Sequence, residues 1–526
     1  MNKAAADTSY ENTMRSMLHA ERGSYADLGY LPVFRASALF YAAHDAAITT
    51  FVSFLHYWRE KNANIRVSAL ISLRGVDGAL VRRDYVRLEK SVYTFRVADM
   101  LGEATGAPFR GSMEIEIHSD TDLKFAFPAM YVFYETAGGI TYVHSNQRVF
   151  NNREDERRSA AFNPGQSGFD VRFDQGRRSC VWLVNGPAPV ERAEMQLRLY
   201  DRQGHELRRH HALGTLPPFA SREIDLAAIP GAPEHLRGEV GCAKFDIGLP
   251  NTFCRFLVGV EDADRSWRTV THSYFDCIEH ADYYGTEVFP EGIDPCLIPV
   301  HLVDGVDCDL VFYPILAPAK LALALRAYDE AGGLRADIPL PATFDSRDGK
   351  MERIDLRRVL RARNVADGPG LYSCHVRAPD GKVPARVTFG LNYRQDGRAG
   401  TNISSSALLA SHHGAKKRSW LWGAAVLRPG SRNVAMISNL SKQYPKGPRA
   451  SYAFSLHDEG GRLLEHRGEL ADGTGHNIEI EPLLAAHGVE RPGDVLWYVV
   501  QSENPNLIAN QITISRQGNI GGDHSF

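Results

Sequence analysis

An internal repeat of about 125 residues is the feature that most restricts what this 526-residue chain can fold into. Three segments share an alternating apolar strand, a turn of acid and glycine, and a second strand: "LRLYDRQGHEL" at 197–207, "LRAYDEAGGL" at 325–334 and "FSLHDEGGRLL" at 454–464. Their turn acids Asp201, Asp329 and Asp458 lie 128 and 129 residues apart, and "ISLRGVDGAL" at 71–80 is a weaker relative. The pattern is typical of β-hairpins, so the sequence predicts four copies of one unit.

Further landmarks keep the same period. A short strand that runs into a helical turn follows each hairpin: "TFRVADML" at 94–101, "REIDLAAI" at 222–229, "ERIDLRRVL" at 352–360 and "NIEIEPLL" at 477–484. A glycine comes next, at Gly111, Gly238, Gly370 and Gly493. A His-Ser pair follows 31 to 34 residues later: His144-Ser145, His272-Ser273 and His524-Ser525, with Ser404-Ser405 at that position in the third unit.

Short strand patterns separated by turn residues every 8–12 positions fill each unit, which is typical of an antiparallel β-sandwich. We therefore predict an all-β chain of four tandem sandwiches, Ig-like or jelly-roll-like, after a short N-terminal helix at 8–22. The predicted parts are a helical or flexible segment (1–30), unit 1 (31–150), a linker (151–170), unit 2 (171–280), a linker (281–300), unit 3 (301–410) and unit 4 (411–526).

Composition excludes several classes of protein. The formal net charge of −3 provides no global attraction to nucleic acid, so no nucleic-acid partner is predicted. No stretch approaches the ~20 apolar residues that span a bilayer, so no membrane insertion is predicted. The N-terminus lacks the apolar core of a secretory signal, and the seven cysteines show no close pairing pattern. We expect a cytoplasmic protein, with export by a route that needs no N-terminal signal as the alternative.

The three His-Ser pairs are candidates for chemistry. Histidine binds metals and transfers protons. If the units curl round a common axis, His144, His272 and His524 meet, and imidazoles within about 5 Å of one another can share an ion such as Zn²⁺. The competing interpretation is that each pair caps a strand end through hydrogen bonds to nearby backbone.

Two other groups of side chains are weaker candidates. In "HSYFDCIEHADYY" at 272–284, Cys277 and His280 have the C-x-x-H spacing of a zinc knuckle, with His272 as a further ligand. Asp276 is a candidate catalytic acid beside the histidines. The aromatic residues near strand ends and loops are candidate ligand-binding residues, because such rings stack on sugars: Tyr274, Tyr283, Tyr284 and Trp420.

Two hypotheses for the function follow. The first is a non-enzymatic binding or scaffolding protein whose repeated faces recognise a glycan, another protein or a second copy of the chain. The second is a metal-dependent enzyme that acts on a carbohydrate or another polar small molecule through the histidines at the strand ends. The sequence predicts no cofactor for the first hypothesis and a divalent metal for the second.

Overall fold

In the computed structural model, the described residues are 32–144, 147–160, 166–173, 176–275, 283–285, 296–314, 320–345, 349–384, 387–395, 398, 400–406, 408–409, 418–440, 449–490 and 493–526. Strands dominate these residues, and every strand pairing is antiparallel. The all-β class predicted from the sequence is therefore confirmed. No helix among the described residues is long and apolar enough to cross a membrane.

The first segment forms one eight-stranded sheet in the order β4-β3-β6-β1-β2-β7-β8, with β5 paired to β2. Its strands are β1 (Arg35–His44), β2 (Ile48–Leu55), β3 (Val67–Gly75), β4 (Leu80–Arg87), β5 (Val92–Arg96), β6 (Phe109–Ser119), β7 (Tyr131–Thr136) and β8 (Gly139–His144), followed by a short β9 (Arg148–Val149). Helices α1 (Tyr57–Asn62) and α2 (Val97–Leu101) lie between its strands.

The second segment forms two sheets, β13-β12-β15-β10-β19 and β14-β11-β17-β18. Its strands are β10 (Gln166–Val171), β11 (Arg177–Val184), β12 (Val190–Tyr200), β13 (Glu206–Leu216), β14 (Ser221–Asp225), β15 (Gly241–Asp246), β16 (Thr252–Phe253), β17 (Leu257–Asp262), β18 (Arg268–His272), β19 (Tyr274–Phe275) and β20 (Tyr283–Gly285). Helix α3 (Arg153–Ala160) precedes this segment, and α4 (Ala232–Leu236) lies within it.

The third segment repeats this order with the sheets β24-β23-β26-β21-β30 and β25-β22-β28-β29. Its strands are β21 (Cys296–Leu302), β22 (Asp307–Phe312), β23 (Lys320–Tyr328), β24 (Leu334–Asp345), β25 (Glu352–Asp355), β26 (Gly370–Arg377), β27 (Lys382–Pro384), β28 (Thr388–Arg394), β29 (Thr401–Ser406) and β30 (Leu408–Leu409). Helix α5 (Leu356–Ala362) follows β25, and β27 pairs with β20.

The fourth segment has the sheets β31-β36-β33-β34 and β35-β32-β37-β38. Its strands are β31 (Ser419–Val426), β32 (Arg432–Asn439), β33 (Arg449–Asp458), β34 (Gly461–Ala471), β35 (Gly475–Glu479), β36 (Val495–Ser502), β37 (Leu507–Ile514) and β38 (Ile520–His524), and α6 (Ile480–Ala486) follows β35. One strand of each segment lies at the edge of a sheet, at the end of the strand order given above: β8, β18, β29 and β38.

Alternation of apolar and polar residues explains the two-sheet arrangement. Strand β12 buries Met195, Leu197 and Leu199 and exposes the residues between them. These side chains pack against Leu183 of β11 and Val258 of β17 in one apolar cluster. Because successive side chains of a strand point to opposite faces, the core of the second segment lies between its two sheets.

The hairpin turns have the structure that the sequence predicts. Each turn acid accepts hydrogen bonds from backbone N–H groups that follow it: Asp201 from Gln203 and His205, Asp329 from Ala331 and Gly333, and Asp458 from Gly460. These turns join the hairpins β12-β13, β23-β24 and β33-β34. The acids therefore stabilise turns.

Some predicted linker residues are regular structure. Helix α3 occupies 153–160, and β10 begins at residue 166, both within the predicted linker 151–170. The charged sequence "REDERRSA" has helix-forming side chains that the linker interpretation did not take into account. Strand β21 begins at residue 296, inside the predicted linker 281–300, and the predicted N-terminal helix at 8–22 lies outside the described residues.

Apolar contacts between segments hold the four parts together. The largest apolar cluster joins the first segment to Trp182 of the second and to Trp422 and Trp497 of the fourth. Another cluster joins the third segment to Met436 and Ile512 of the fourth. Between the second and third segments, Cys242 packs with Val311 of β22 and with Tyr313, which follows that strand. The segments therefore contact one another in a closed cycle.

A buried arginine connects the first and second segments. Arg268 of β18 is fully buried, and its Nη2 lies 2.6 Å from Oε1 of Glu261. Its guanidinium lies over the rings of Trp182, at 4.5 Å, and Tyr134, at 5.3 Å. A planar guanidinium satisfies both requirements, because it binds a carboxylate at its edge and stacks on aromatic rings through its face.

His301 connects the third and fourth segments. Its Nδ1 lies 2.8 Å from Oδ1 of Asn477, its Nε2 lies 2.7 Å from Oγ of Ser438, and the ring is completely buried. Burial lowers the pKa of His301 to about 4. The folded chain therefore keeps this imidazole neutral at pH values where the unfolded chain protonates it.

We predict that the free energy of unfolding falls as the pH is lowered from about 6.5 toward 4, because the unfolded state binds more protons in this window. One histidine of this kind contributes up to about 1.4 kcal/mol per pH unit. Guanidinium denaturation of the wild type and of His301→Gln at several pH values measures the difference. His205→Gln, at an exposed position, is the control. Equal pH slopes for the wild type and His301→Gln would contradict the prediction.

Candidate functional site

The edge strands β8, β18, β29 and β38, one from each segment, meet in the interior. Each contacts the next, and β38 contacts β8, so that the four form a closed ring, hereafter the junction. Hydrogen bonds connect neighbours: Oγ1 of Thr269 donates to the carbonyl of Gly400 at 2.8 Å, and Oγ1 of Thr401 donates to the carbonyl of Gly522 at 3.3 Å. The ends of four separate segments are thereby held together.

Glycine makes this close approach possible for β38. A Cβ atom at Gly521 would lie 2.4 Å from the carbonyl oxygen of Ile140 in β8, and one at Gly522 would lie 2.6 Å from the carbonyl oxygen of Gln511. These distances are shorter than any stable contact. Gly521 therefore allows β38 to pack against β8, and Gly522 allows it to pack against β37. Together the two glycines of "GGDHSF" place Asp523 and His524 at the junction.

Four polar side chains cluster at the junction. His144 of β8, His272 of β18, and Asp523 and His524 of β38 each offer a ligand atom, and these atoms all lie within 4.8 Å of one another. The ring centre of His144 lies 4.6 Å from that of His272 and 4.3 Å from that of His524. His144, His272 and Asp523 are at most 3% exposed, and His524 is half-buried. The structure thus brings together the three histidines of the His-Ser series.

Hydrogen bonds at Nδ1 set the tautomers of two of the histidines. Nδ1 of His272 lies 3.3 Å from the carbonyl oxygen of Ser273, and Nδ1 of His524 lies 3.0 Å from that of Ser525. A carbonyl oxygen only accepts, so each Nδ1 carries the hydrogen. In a neutral imidazole this leaves the lone pair on Nε2, the nitrogen available to a metal.

Two contacts set the same tautomer in His144. Its Nδ1 lies 2.7 Å from Oδ2 of Asp523, and its Nε2 lies 3.3 Å from Nη1 of Arg255. A guanidinium only donates, so Nε2 accepts and Nδ1 carries the hydrogen. All three imidazoles therefore have the Nδ1–H tautomer, as metal-binding histidines do when a carboxylate or carbonyl orients them.

Burial keeps the histidines in the form that binds metals. It holds the pKa values of His144 and His272 well below their usual range, and it lowers the pKa of His524 to about 4. Burial also raises the pKa of Asp523 to about 6. At neutral pH the junction therefore contains three neutral imidazoles and a carboxylate that is largely ionised.

Asp523 orients its neighbours. Its Oδ2 accepts from the backbone N–H of His144 at 2.7 Å as well as from the imidazole, and its Oδ1 accepts from the backbone N–H of His524 at 2.8 Å. Both carboxylate oxygens are occupied by these bonds. The carboxylate thus fixes the position of one histidine and the backbone of another, which makes it an orienting group around three nitrogen ligands.

A chain of hydrogen bonds supports His524 from the other side. The hydroxyl of Tyr131 donates to the carbonyl of His524, Nε2 of Gln511 donates to that hydroxyl, and the hydroxyl of Tyr498 donates to Oε1 of Gln511, each at 2.7 Å. The hydroxyl of Ser525 also donates to Oε1 of Gln511, at 2.9 Å. The backbone of His524 is therefore held rigidly.

The serines of two His-Ser pairs have structural roles, and Ser145 lies outside the described residues. Oγ of Ser273 accepts from the backbone N–H of Phe256 at 3.1 Å, and Ser525 bonds Gln511. Of these two serines, Ser273 bonds backbone, as the capping interpretation expects, and Ser525 bonds a side chain. The imidazoles of all three pairs meet at the junction.

A cavity of 210 Å³ borders His524 and lies between the third and fourth segments. Its walls are mostly apolar, with a few polar groups near the junction: Pro299, Phe389, Leu391, Ile403, Ser405, Leu421, Leu507, Ile508, Ala509, Asn510, His524, Ser525 and Phe526. Ser405 belongs to the strand that carries serines in place of a His-Ser pair. The cavity beside the cluster thus borders the third segment, whose edge strand has serines where the other three have a histidine.

The remaining candidates lie elsewhere or outside the described residues. Asp276, Cys277 and His280 are outside them. Tyr274 lies in β19, and Tyr283 and Tyr284 lie in β20. Trp420 is 9% exposed, and its ring packs against Trp422 with Nζ of Lys61 above it at 5.1 Å, which leaves little of the indole for a ligand.

Sequence reasoning missed two charged residues of the site, Asp523 and Arg255. Asp523 directly precedes His524 in "GGDHSF", so its position beside a candidate ligand was a signal. Arg255 stands in the apolar run "CRFLVG", where a buried arginine requires an explanation. Neither signal identifies the histidine that each residue contacts.

Comparisons with known proteins give no family. No protein-family model matches the chain, and no curated protein sequence does. Among solved structures, the chain is similar to a calcium-binding mutant of β-glucuronidase 2 from Bacteroides uniformis, at 9% identity and a TM-score of 0.12. The match covers 46% of this chain and 27% of that one. A likeness this low carries no argument about fold or function.

We predict that Gly521→Ala lowers the free energy of unfolding by about 1–3 kcal/mol, because the added methyl group overpacks the contact between β38 and β8. Denaturant unfolding measures the change. Gly248→Ala is the matched control, because a Cβ atom there meets nothing within 4 Å. Equal stability of the two variants would show that β38 does not require glycine at this position.

Proposed function

We propose that this protein binds one divalent transition-metal ion through Nε2 of His144, His272 and His524. The observation that carries the proposal is the cluster itself: three imidazoles from three segments converge, and the ligand atoms of the group lie within 4.8 Å of one another. Metal–nitrogen bonds of about 2 Å place tetrahedral ligands roughly 3.3 Å apart, so small side-chain rotations are enough to close the site.

Zinc is the ion that fits the donor set best. Neutral imidazoles suit zinc and its neighbours in the first transition row, whereas calcium and magnesium prefer oxygen ligands. The orienting carboxylate of Asp523 on Nδ1 of His144 is typical of zinc-binding histidines. Cobalt and nickel accept the same ligands, so the protein is expected to take up either one when zinc is removed.

Three protein ligands leave one position open, which is the arrangement of a catalytic rather than a structural ion. A zinc ion in such a site acidifies a bound water or polarises an oxygen of a substrate. This supports the hypothesis of a metal-dependent enzyme over that of a metal-free scaffold. The residues of this chain would orient the ligands through Asp523, Ser273 and Ser525 and exclude bulk water by burial.

We also propose that the four segments derive from one unit with two sheets, which the pairing of β1 with β2 joins into a single sheet in the first segment. The proposed metal site is built from three of these segments. The recurring strand order and the equivalent position of the four edge strands support this origin. A cytoplasmic location is proposed as well, because five of the cysteines carry buried thiols, which suits a reducing compartment: Cys180, Cys242, Cys254, Cys308 and Cys374.

We predict that the purified protein binds about one zinc ion per chain and that His272→Ala with His524→Ala abolishes this binding, because one imidazole cannot hold the ion. Elemental analysis after zinc loading and removal of excess metal gives the stoichiometry. Zinc should also stabilise the wild type by about 2.7 kcal/mol at a free concentration 100 times the Kd.

His301→Gln is the control, since His301 is buried as His272 is but contacts Asn477 and Ser438 instead of the cluster. This variant should retain the metal. A metal-free wild type after loading, or a double variant that keeps full occupancy, would refute the proposed function.

A further inference from the structure

A cleft between the second and third segments has an excess of positive charge. Its volume is 130 Å³, and residues of β10, β11, β17 and β18 line it together with residues of β25, β28 and β29. It shares no described lining residue with the cavity beside His524. Two aspartates line it, Asp170 and Asp262, against five arginines: Arg172, Arg177, Arg353, Arg394 and Arg398.

Two of these arginines are paired within the protein. Arg353 donates from Nη2 to Oδ2 of Asp170 at 2.6 Å and from Nη1 to Oδ2 of Asp309 at 3.1 Å. Nη2 of Arg394 lies 3.5 Å from Oδ1 of Asp309. Oδ2 of Asp170 also accepts from Nδ2 of Asn392 at 3.0 Å. Asp170 is therefore occupied by its neighbours and does not neutralise the remaining arginines.

The other three arginines retain donors for a ligand. Arg177 bonds Oδ1 of Asp262 through Nε, at 3.3 Å, and its terminal nitrogens make no hydrogen bond among the described residues. The guanidinium groups of Arg172 and Arg398 have neither a hydrogen bond nor an ion pair in the described part of the chain. Three guanidinium groups with available N–H donors thus line one cleft, which is an arrangement suited to an anion.

A phosphate group fits this set of donors better than a carboxylate does. A guanidinium can donate two parallel hydrogen bonds to the oxygens of either group. A carboxylate has two oxygens and a single negative charge, whereas a phosphate monoester has three terminal oxygens and a charge of about −1.5 to −2 at pH 7. The three guanidinium groups therefore match a phosphate in both the number of acceptors and the charge.

The apolar part of the cleft indicates what the phosphate is attached to. Phe169 and Trp267 line the cleft and are 1% and 3% exposed, and Val260 beside them in the lining is half-buried. The three available arginines are half-buried or exposed, so the charged groups lie nearer to solvent than the aromatic rings. Since a cavity of roughly 150 Å³ holds benzene, the 130 Å³ of this cleft suit a single ring.

We propose that this cleft binds a phosphate monoester of a compound with one apolar ring. Arg172, Arg177 and Arg398 donate to the phosphate oxygens, and the ring lies in the apolar part of the cleft beside Phe169 and Trp267. The inference is independent of the proposed metal site, because none of the clustered histidines lines the cleft.

Isothermal titration calorimetry with phenyl phosphate tests the inference, at about pH 8 so that the phosphate is fully ionised. Phenyl phosphate should bind at least tenfold more tightly than inorganic phosphate, because its ring is buried in the cleft. It should also bind at least tenfold more tightly than benzoate, which offers fewer acceptors and less charge. No binding at about 10 mM, or benzoate binding as tightly as phenyl phosphate, would overturn the proposal.

Variants separate the two parts of the cleft. Arg172→Gln with Arg398→Gln should weaken phenyl phosphate and inorganic phosphate alike, by about tenfold or more, because charge-assisted hydrogen bonds are lost. Val260→Phe, which fills the cleft, should remove the preference for phenyl phosphate and leave inorganic phosphate unaffected. Arg192→Gln is the control, since Arg192 is exposed on β12 and does not line the cleft. Equal affinities of the double arginine variant and this control would contradict the inference.

Treatment with a chelator distinguishes this cleft from the proposed metal site, where a bound ion would also attract phosphate. Phenyl phosphate should bind with the same affinity before and after removal of metal, because no proposed metal ligand lines the cleft. Binding that disappears with the metal would assign the phosphate to the junction and overturn the inference, whereas unchanged binding supports it.

Discussion

The close packing of four strand ends is the constraint on which the rest of this structure depends. Strands β8, β18, β29 and β38 approach one another so tightly that β38 requires Gly521 where it meets the backbone of β8. The contact buries polar side chains that would otherwise be solvated. Burial in turn keeps the imidazoles neutral, which is the form that the proposed metal site requires.

Polar groups buried in this way need hydrogen-bond partners. The junction supplies such a partner to each imidazole N–H. Each Nδ1–H of the three histidines has a defined acceptor, which is a backbone carbonyl in two cases and Asp523 in the third. The same bonds that satisfy the buried N–H groups leave the lone pair of each imidazole on Nε2. Preorganisation of the site is therefore a consequence of how the fold satisfies its hydrogen bonds.

The edge strand of the third segment departs from the His-Ser series of the other three segments. Three of the edge strands end in histidine, whereas β29 carries Ser404 and Ser405. A fourth imidazole would favour a closed set of ligands, whereas serine leaves three nitrogens and a cavity beside them. Three of the four edge strands thus end in histidine at the junction, and the strand that ends in serine borders the cavity.

Local pattern in the sequence was enough to predict the all-β class, the hairpins with their turn acids and the series of three histidines, because each depends on residues close together in the chain. Only the tertiary structure decided what those histidines touch. Asp523 reaches His144 across 379 positions of sequence, and Arg255 reaches it across 111. Such contacts depend on how the segments pack into a ring. The alternation of apolar and polar residues along a strand does not show which residue the end of that strand will contact.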